Sequence, residues 1–189
     1  MIIGVVGPLC SGKDSFAQIM SGFGFEVFSF GDVLREEMKK QNIDITRENL
    51  QNFSNDLRRN RGAGAVSKII ISRMQPGKNY LVQGFRNPAE VKEFLALENF
   101  DLVSLDSSAE RRFERMKLRK REKDPETFKD FRELEDKELL GVGQDEFGFH
   151  IQDCMNLASM GIVNEGNFED LRKSAKGLLD ALSEKYGKI

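Results

Sequence analysis

The sequence predicts an α/β protein, a three-layer α/β/α sandwich built on a five-stranded parallel sheet. Three observations carry that prediction. Five short apolar runs, at residues 2–6, 25–30, 80–83, 102–105 and 161–164, are spaced along the 189 residues. Most are almost continuously apolar, as strands covered on both faces are. Longer helical patterns with marked starts lie between them, and strands alternating with helices build a sheet sandwiched by helices.

Each element has its own signal. The first run, Ile2-Ile3-Gly4-Val5-Val6, lacks a basic flank and is soon interrupted by Pro8 and Lys13. It reads as a first strand and not as a signal peptide. After the third run, Asn87-Pro88-Ala89-Glu90 offers an N-cap, a proline at the first helical position and a glutamate at the third. Ser107 and Glu110 have capping-box spacing, Asp124-Pro125 repeats the cap-plus-proline signal, and Asn167 precedes Phe168-Glu169-Asp170. Ligands of such sheets sit beyond the carboxyl ends of the strands. Chemistry is therefore expected just after Val6, Phe30, Gln83, Leu105 and Asn164.

Composition narrows the function classes. With 29 Lys or Arg against 31 Asp or Glu, the net charge of −2 argues against a protein that wraps nucleic acid. Two cysteines, Cys10 and Cys154, are too few for a disulfide framework and point to a reducing, cytoplasmic setting. No apolar run approaches the roughly 20 residues of a membrane span. A chain of this length is expected to be one domain, residues 1–189, burying roughly 70% of its unfolded surface.

Residues 7–15 carry the strongest chemical signal. Gly7-Pro8-Leu9-Cys10-Ser11-Gly12-Lys13-Asp14-Ser15 is GxxxxGK between a strand and a helix, the setting of a phosphate-binding P-loop. Glycines let successive N–H groups curl around an anion, the helix N-terminus adds positive potential, and Lys13 reaches the β- and γ-phosphates. The residue after that lysine usually offers a hydroxyl to Mg²⁺; here it is Asp14, with Ser15 next. Asp14 and Ser15 are the candidate metal ligands, and nucleotide binding is expected to depend strictly on Mg²⁺. A carboxylate beside a triphosphate repels it unless a cation intervenes or the carboxylate points away.

Ser29-Phe30-Gly31-Asp32-Val33-Leu34-Arg35 and Leu81-Val82-Gln83-Gly84-Phe85-Arg86 follow the second and third strands. With these segments the chain resembles the nucleoside-monophosphate-kinase-like P-loop phosphotransferases, adenylate kinases among them. The resemblance implies a P-loop NTPase fold, ATP and Mg²⁺ as cofactors, and Arg35 and Arg86 as ligands of an acceptor's phosphate. Guanidinium forks suit that role because they grip phosphate bidentately and stay charged. Residues 31–75 would be the acceptor-binding helical insert, opened by Gly31-Asp32. Further segments resemble the dephospho-CoA-kinase-like branch: Thr46-Arg47-Glu48-Asn49-Leu50, Glu110-Arg111-Arg112-Phe113-Glu114-Arg115, and Ile162-Val163-Asn164-Glu165-Gly166. By that resemblance Asn164 approaches the donor adenine. Phe53 and Phe85 are candidates to flank an acceptor base. One departure is Gln83, where these kinases place an acidic residue that orders the Mg²⁺ shell; Asp14 is a candidate to supply that charge.

Residues 111–123 carry a local charge of +6 and residues 124–138 one of −4. Arg111, Arg115 and Arg119 recur every fourth residue along one helical face. Two paired, solvated helices satisfy that pattern. So does a lid over residues 108–140 whose arginines, Arg115, Arg119 and Arg121, close over ATP, with Arg132 a further substitute. A nucleic-acid role is disfavoured because the acidic stretch would repel phosphates. His150, the only histidine, has no triad partners, so it is read as structural, and Cys10 as a packing residue.

The function these readings imply is ATP- and Mg²⁺-dependent transfer of the γ-phosphoryl group to a small phosphorylated acceptor. A nucleoside or deoxynucleoside monophosphate, or dephospho-CoA, fits that description. Lys13, Asp32, Arg35, Arg86, Arg115 and Arg119 are the catalytic candidates; residues 7–15 and Asn164 would hold the nucleotide. Gln83 and the unusual lid also fit a rival, a nucleotide-binding regulatory ATPase with no small-molecule acceptor.

Overall fold

Alternate residues of the first strand point to opposite faces of the sheet, and each set founds its own core. A computed structural model describes residues 1–119 and 124–187. Its elements are β1 (Ile2–Val6), α1 (Lys13–Gly22), β2 (Glu26–Ser29), α2 (Phe30–Lys40), α3 (Arg47–Arg61), α4 (Ala65–Ser72) and β3 (Tyr80–Gln83). They continue with α5 (Pro88–Leu95), β4 (Phe100–Asp106), α6 (Ala109–Arg119), α7 (Phe128–Leu139), α8 (Ile151–Met155), β5 (Met160–Val163) and α9 (Phe168–Tyr186). Ile2 and Val6 join Val82, Leu102 and residues of α2 to α5 on one face; Ile3 and Val5 join Leu81, Val103 and residues of α1 and α9 on the other.

All five strands are parallel, in the order β2-β3-β1-β4-β5. The chain leaves β1 towards β2 and β3, then returns across β1 to build β4 and β5. That reversal opens a crevice at the carboxyl end of β1. The register sets Val5 beside Gln83 and Val6 beside Ser104, so the loops after β1, β3 and β4 emerge together.

The α/β sandwich is as the sequence predicts, with local differences. Phe30 opens α2 instead of ending β2, because Ser29 is already extended at the helix start and Phe30 buries its ring against Phe85. β4 begins earlier than expected, at Phe100. Asn87 and Asn167 each close a capping box, as their spacing predicts. Thr127 and not Asp124 caps α7, accepting from the Asp130 N–H, while Asp124 accepts two bonds from the Arg119 guanidinium. The Ser107 expectation moves by one residue, since the Ser108 carbonyl accepts the first bond of α6 and Ser108 itself binds Glu165. No helix among the described residues is long and apolar enough to cross a membrane.

Candidate active site

The loop after β1 is held by close backbone approach. A side chain at Gly7 would collide with the Leu105 carbonyl at 1.9 Å, and Gly12 has φ 108° with the Asn164 amide 2.3 Å from where a Cβ would sit. Only glycine tolerates both demands. Cys10 also takes a left-handed backbone, φ 61°. Ser11, fully buried, donates its N–H to the Pro8 carbonyl, and its own carbonyl receives the Asn164 amide at 2.8 Å. Leu9 and Pro8 face a crevice shared with Glu135, Glu138 and Leu139 of α7.

Lys13 opens α1 and folds its ammonium back, donating to the Gly7 carbonyl at 2.8 Å, the Pro8 carbonyl at 2.7 Å and the Ser11 hydroxyl at 3.4 Å. Burial, and then repulsion from Arg86, lower its pKa to about 8 against the opposing pull of Asp14, Glu138 and Cys10. A phosphate arriving beside such an ammonium relieves both penalties. Asp14 is exposed in the first turn, and Ser15 follows it on α1. The Gln83 amide nitrogen lies 3.5 Å from the Asp14 carboxylate, while its oxygen is buried without a hydrogen-bond partner. An orphaned amide oxygen, a carboxylate and a hydroxyl form an all-oxygen donor set, which suits a hard cation such as Mg²⁺. The residues present therefore fit the ion. No cluster of three or more His, Cys, Asp or Glu suited to a metal occurs among the described residues.

The two expected phosphate arginines differ in setting. Arg35 makes a 2.7 Å pair with Asp32 one turn earlier on α2, both side chains largely exposed. Arg86 lies flat over the Phe149 ring, 4.4 Å from its centroid, and pairs with Glu138 at 3.5 Å. Beneath them the buried Arg58 grips Glu90 at 2.7 Å, and Glu90 also accepts from the backbone N–H groups of Arg86 and Asn87. That network aims the chain after β3.

Other expectations are revised. Arg115 does not hang free as a lid residue: its guanidinium donates to the carbonyls of Ser11, Asn164 and Gly166 and to the Ser107 hydroxyl. It ties the phosphate loop to the β5–α9 turn. Arg119 is held bidentately by Asp124 at 2.7 and 2.8 Å. Asn164 directs its buried amide at the loop, not outward to a base. Phe85 is a core residue ringed by Phe30, Phe94 and Phe100, so it flanks no ligand. Phe53 packs against that same core. Arg132 pairs with Glu135, which also contacts the buried Arg112 at 2.7 Å, although those two atoms lack hydrogen-bond alignment. Burial raises the Glu135 pKa. Arg121 lies outside the described residues. His150 is structural, its ring bonded to the Asp145 carbonyl. Glu138 and Phe149 were not singled out by the sequence; no motif marks them, and only α7 and the strand of chain after it bring them to Arg86.

Comparison with known proteins bears on this arrangement. A family model described as an AAA domain matches residues 6–132. A UPF0200 protein of Thermococcus kodakarensis is 32% identical over 192 residues, covering 98% of this chain and 100% of its own. The chain belongs to the UPF0200 family and to the P-loop AAA-domain family. Solved structures share the fold of this UPF0200 protein. A shikimate kinase from Acinetobacter baumannii in complex with shikimate has a TM-score of 0.62 at 17% identity, covering 99% of this chain and 95% of that one. A dephospho-CoA kinase from Campylobacter jejuni has a TM-score of 0.54 at 14% identity, with 97% of each chain covered. The UPF0200 protein thus has the fold of the small P-loop kinases.

Proposed function

We propose that this UPF0200 protein is an ATP- and Mg²⁺-dependent kinase that moves the γ-phosphoryl group to a small phosphorylated acceptor. The acceptor would be a nucleoside or deoxynucleoside monophosphate, or dephospho-CoA. One observation carries the reading: the register that sets Val5 beside Gln83 brings the phosphate loop leading to Lys13 and the turn carrying Arg86 out of adjacent strands together, and the Arg86 charge acts on Lys13. Two cations held together against their repulsion suit a site that receives anionic groups from two sides. A protein that only senses nucleotide has no need of the second.

Loop N–H groups and Lys13 would bind the donor phosphates, Lys13 exchanging its loop carbonyls for phosphate oxygens. Arg86, steadied on Phe149, and Arg35 would orient the acceptor's phosphate. Asp14, Ser15 and Gln83 would hold Mg²⁺, which would supply positive charge to offset that of the phosphates. Arg115 would act on the loop it braces, and Arg119 would approach phosphates only by leaving Asp124. Asp32 would serve as general base for a hydroxyl acceptor, such as the ribose 3′-OH of dephospho-CoA. For a monophosphate oxygen no base is needed. Residues 31–75 would form the acceptor-binding insert, and residues 108–140 the lid.

The engaged state of Arg115 and Arg119 favours the second reading, a regulatory ATPase without an acceptor. A coupled ADP-release assay across nucleoside monophosphates, deoxynucleoside monophosphates and dephospho-CoA separates the two. Stimulation by one acceptor supports the kinase, and a flat response supports the regulator. Asp32→Asn then sorts the acceptors: a steep loss of turnover at unchanged binding indicates a hydroxyl, and indifference a monophosphate. Tight ATP binding in excess chelator would contradict the role given to Asp14.

A further inference from the structure

The last turn of α7 carries a carboxylate to the place where an anion is expected. Glu138 is only 12% exposed and sits 3.5 Å from the Arg86 guanidinium. It borders the same crevice as Pro8 and Leu9 of the phosphate loop, and its charge acts on Lys13. Glu138 therefore faces both cations assigned to phosphate, from an element that belongs to neither β1 nor β3. Lys13 is engaged as well, its three protons directed at two loop carbonyls and the Ser11 hydroxyl.

From this arrangement we infer that Glu138 is a built-in competitor for phosphate, an internal anion that a substrate phosphate must displace from Arg86. The inference rests on the assignment of Lys13 and Arg86 as phosphate ligands. A phosphate reaching the half-buried Arg86 meets the largely buried Glu138 carboxylate, and the two like charges repel. Withdrawal of Glu138 would draw on the chain just beyond it. Leu140 beyond it is exposed, and Gly141 already turns the chain through φ 70°. Displacement would couple phosphate arrival to movement of the α7 end.

The test is calorimetric titration of the full chain with ADP and with inorganic pyrophosphate, well below pH 8 so that Lys13 stays protonated in every variant. Glu138→Gln keeps the shape and removes the charge; it is expected to tighten pyrophosphate binding about tenfold. Glu133→Gln removes an exposed carboxylate from the same helix and is expected to leave affinity unchanged, which separates a local contact from net charge. Should Glu138→Gln fold poorly, Glu138→Asp retracts the carboxylate by one methylene and is expected to give a smaller gain. Unchanged or weaker binding in the folded Glu138 variant, with Lys13→Ala abolishing it, overturns the competitor and leaves the kinase reading standing. A chain that binds neither ligand in any form overturns both.

Discussion

The phosphate loop and the outer rim of α2 are both lined with polar groups, yet they are built on opposite terms. Around the loop, the bonds are buried: the Asn164 amide and Ser11 carbonyl meet with 6% and 0% of their residues exposed. Arg115 adds bonds to three carbonyls there. On α2, the Asp32–Arg35 pair is 69% and 46% exposed and competes with water. A buried hydrogen bond cannot be exchanged for one to solvent without leaving a desolvated group, so it sets geometry before any ligand arrives. An exposed ion pair exchanges readily and sets little. The protein thus combines a preformed phosphate loop with an adaptable, solvent-exposed rim on α2.

That contrast can be broken in order of effect. Glu90→Ala is the largest test, because Glu90 is buried and ties Arg58 of α3 to the Arg86 and Asn87 N–H groups after β3. It strands Arg58 without its partner and should destabilise the fold by about 3–5 kcal/mol in urea unfolding. A cost below about 1 kcal/mol would mean that this buried network does not hold the chain after β3. Lys13→Ala should leave stability near wild type but weaken ADP binding by roughly a hundredfold. Lys13 also predicts a pH dependence. The ammonium is charged below its pKa of about 8, so ADP affinity should fall as pH rises through that value. The fall should be at most about tenfold per pH unit, and flat in Lys13→Arg. Asn164→Ala should cost about 1–3 kcal/mol in thermal or urea unfolding, since it leaves the buried Ser11 carbonyl only the longer bond from Arg115. Smallest is the Asp32–Arg35 pair, whose double-mutant coupling energy should lie below about 1 kcal/mol. A larger coupling would place the rim with the loop.

How much of this was legible beforehand depended on the range of the interaction involved. Near-continuous apolar runs marked the inner strands β1, β3 and β4, because burial on both sheet faces leaves no polar alternation, whereas the edge strands β2 and β5 are partly exposed. Asn87 and Asn167 were readable as caps, since the groups they satisfy lie within three residues. Asp124-Pro125 misled for the same reason in reverse: the cap signal is local, but Arg119 won the carboxylate. The glycine spacing of the phosphate loop was readable, because close backbone approach at Gly7 and Gly12 itself requires it.

Sequence by itself thus determined the sheet, the loop and the residues carrying positive charge at strand ends. Tertiary structure decided what those charges face. Arg115 braces carbonyls, Arg119 is locked to Asp124, and Arg86 lies between Phe149 and Glu138, which follow it by 63 and 52 positions in the chain. Spacing along a helix or strand repeats within a few residues and can be read from one segment. The partner of a guanidinium is chosen by whichever distant oxygen or ring packing brings within reach, and no local pattern encodes that choice.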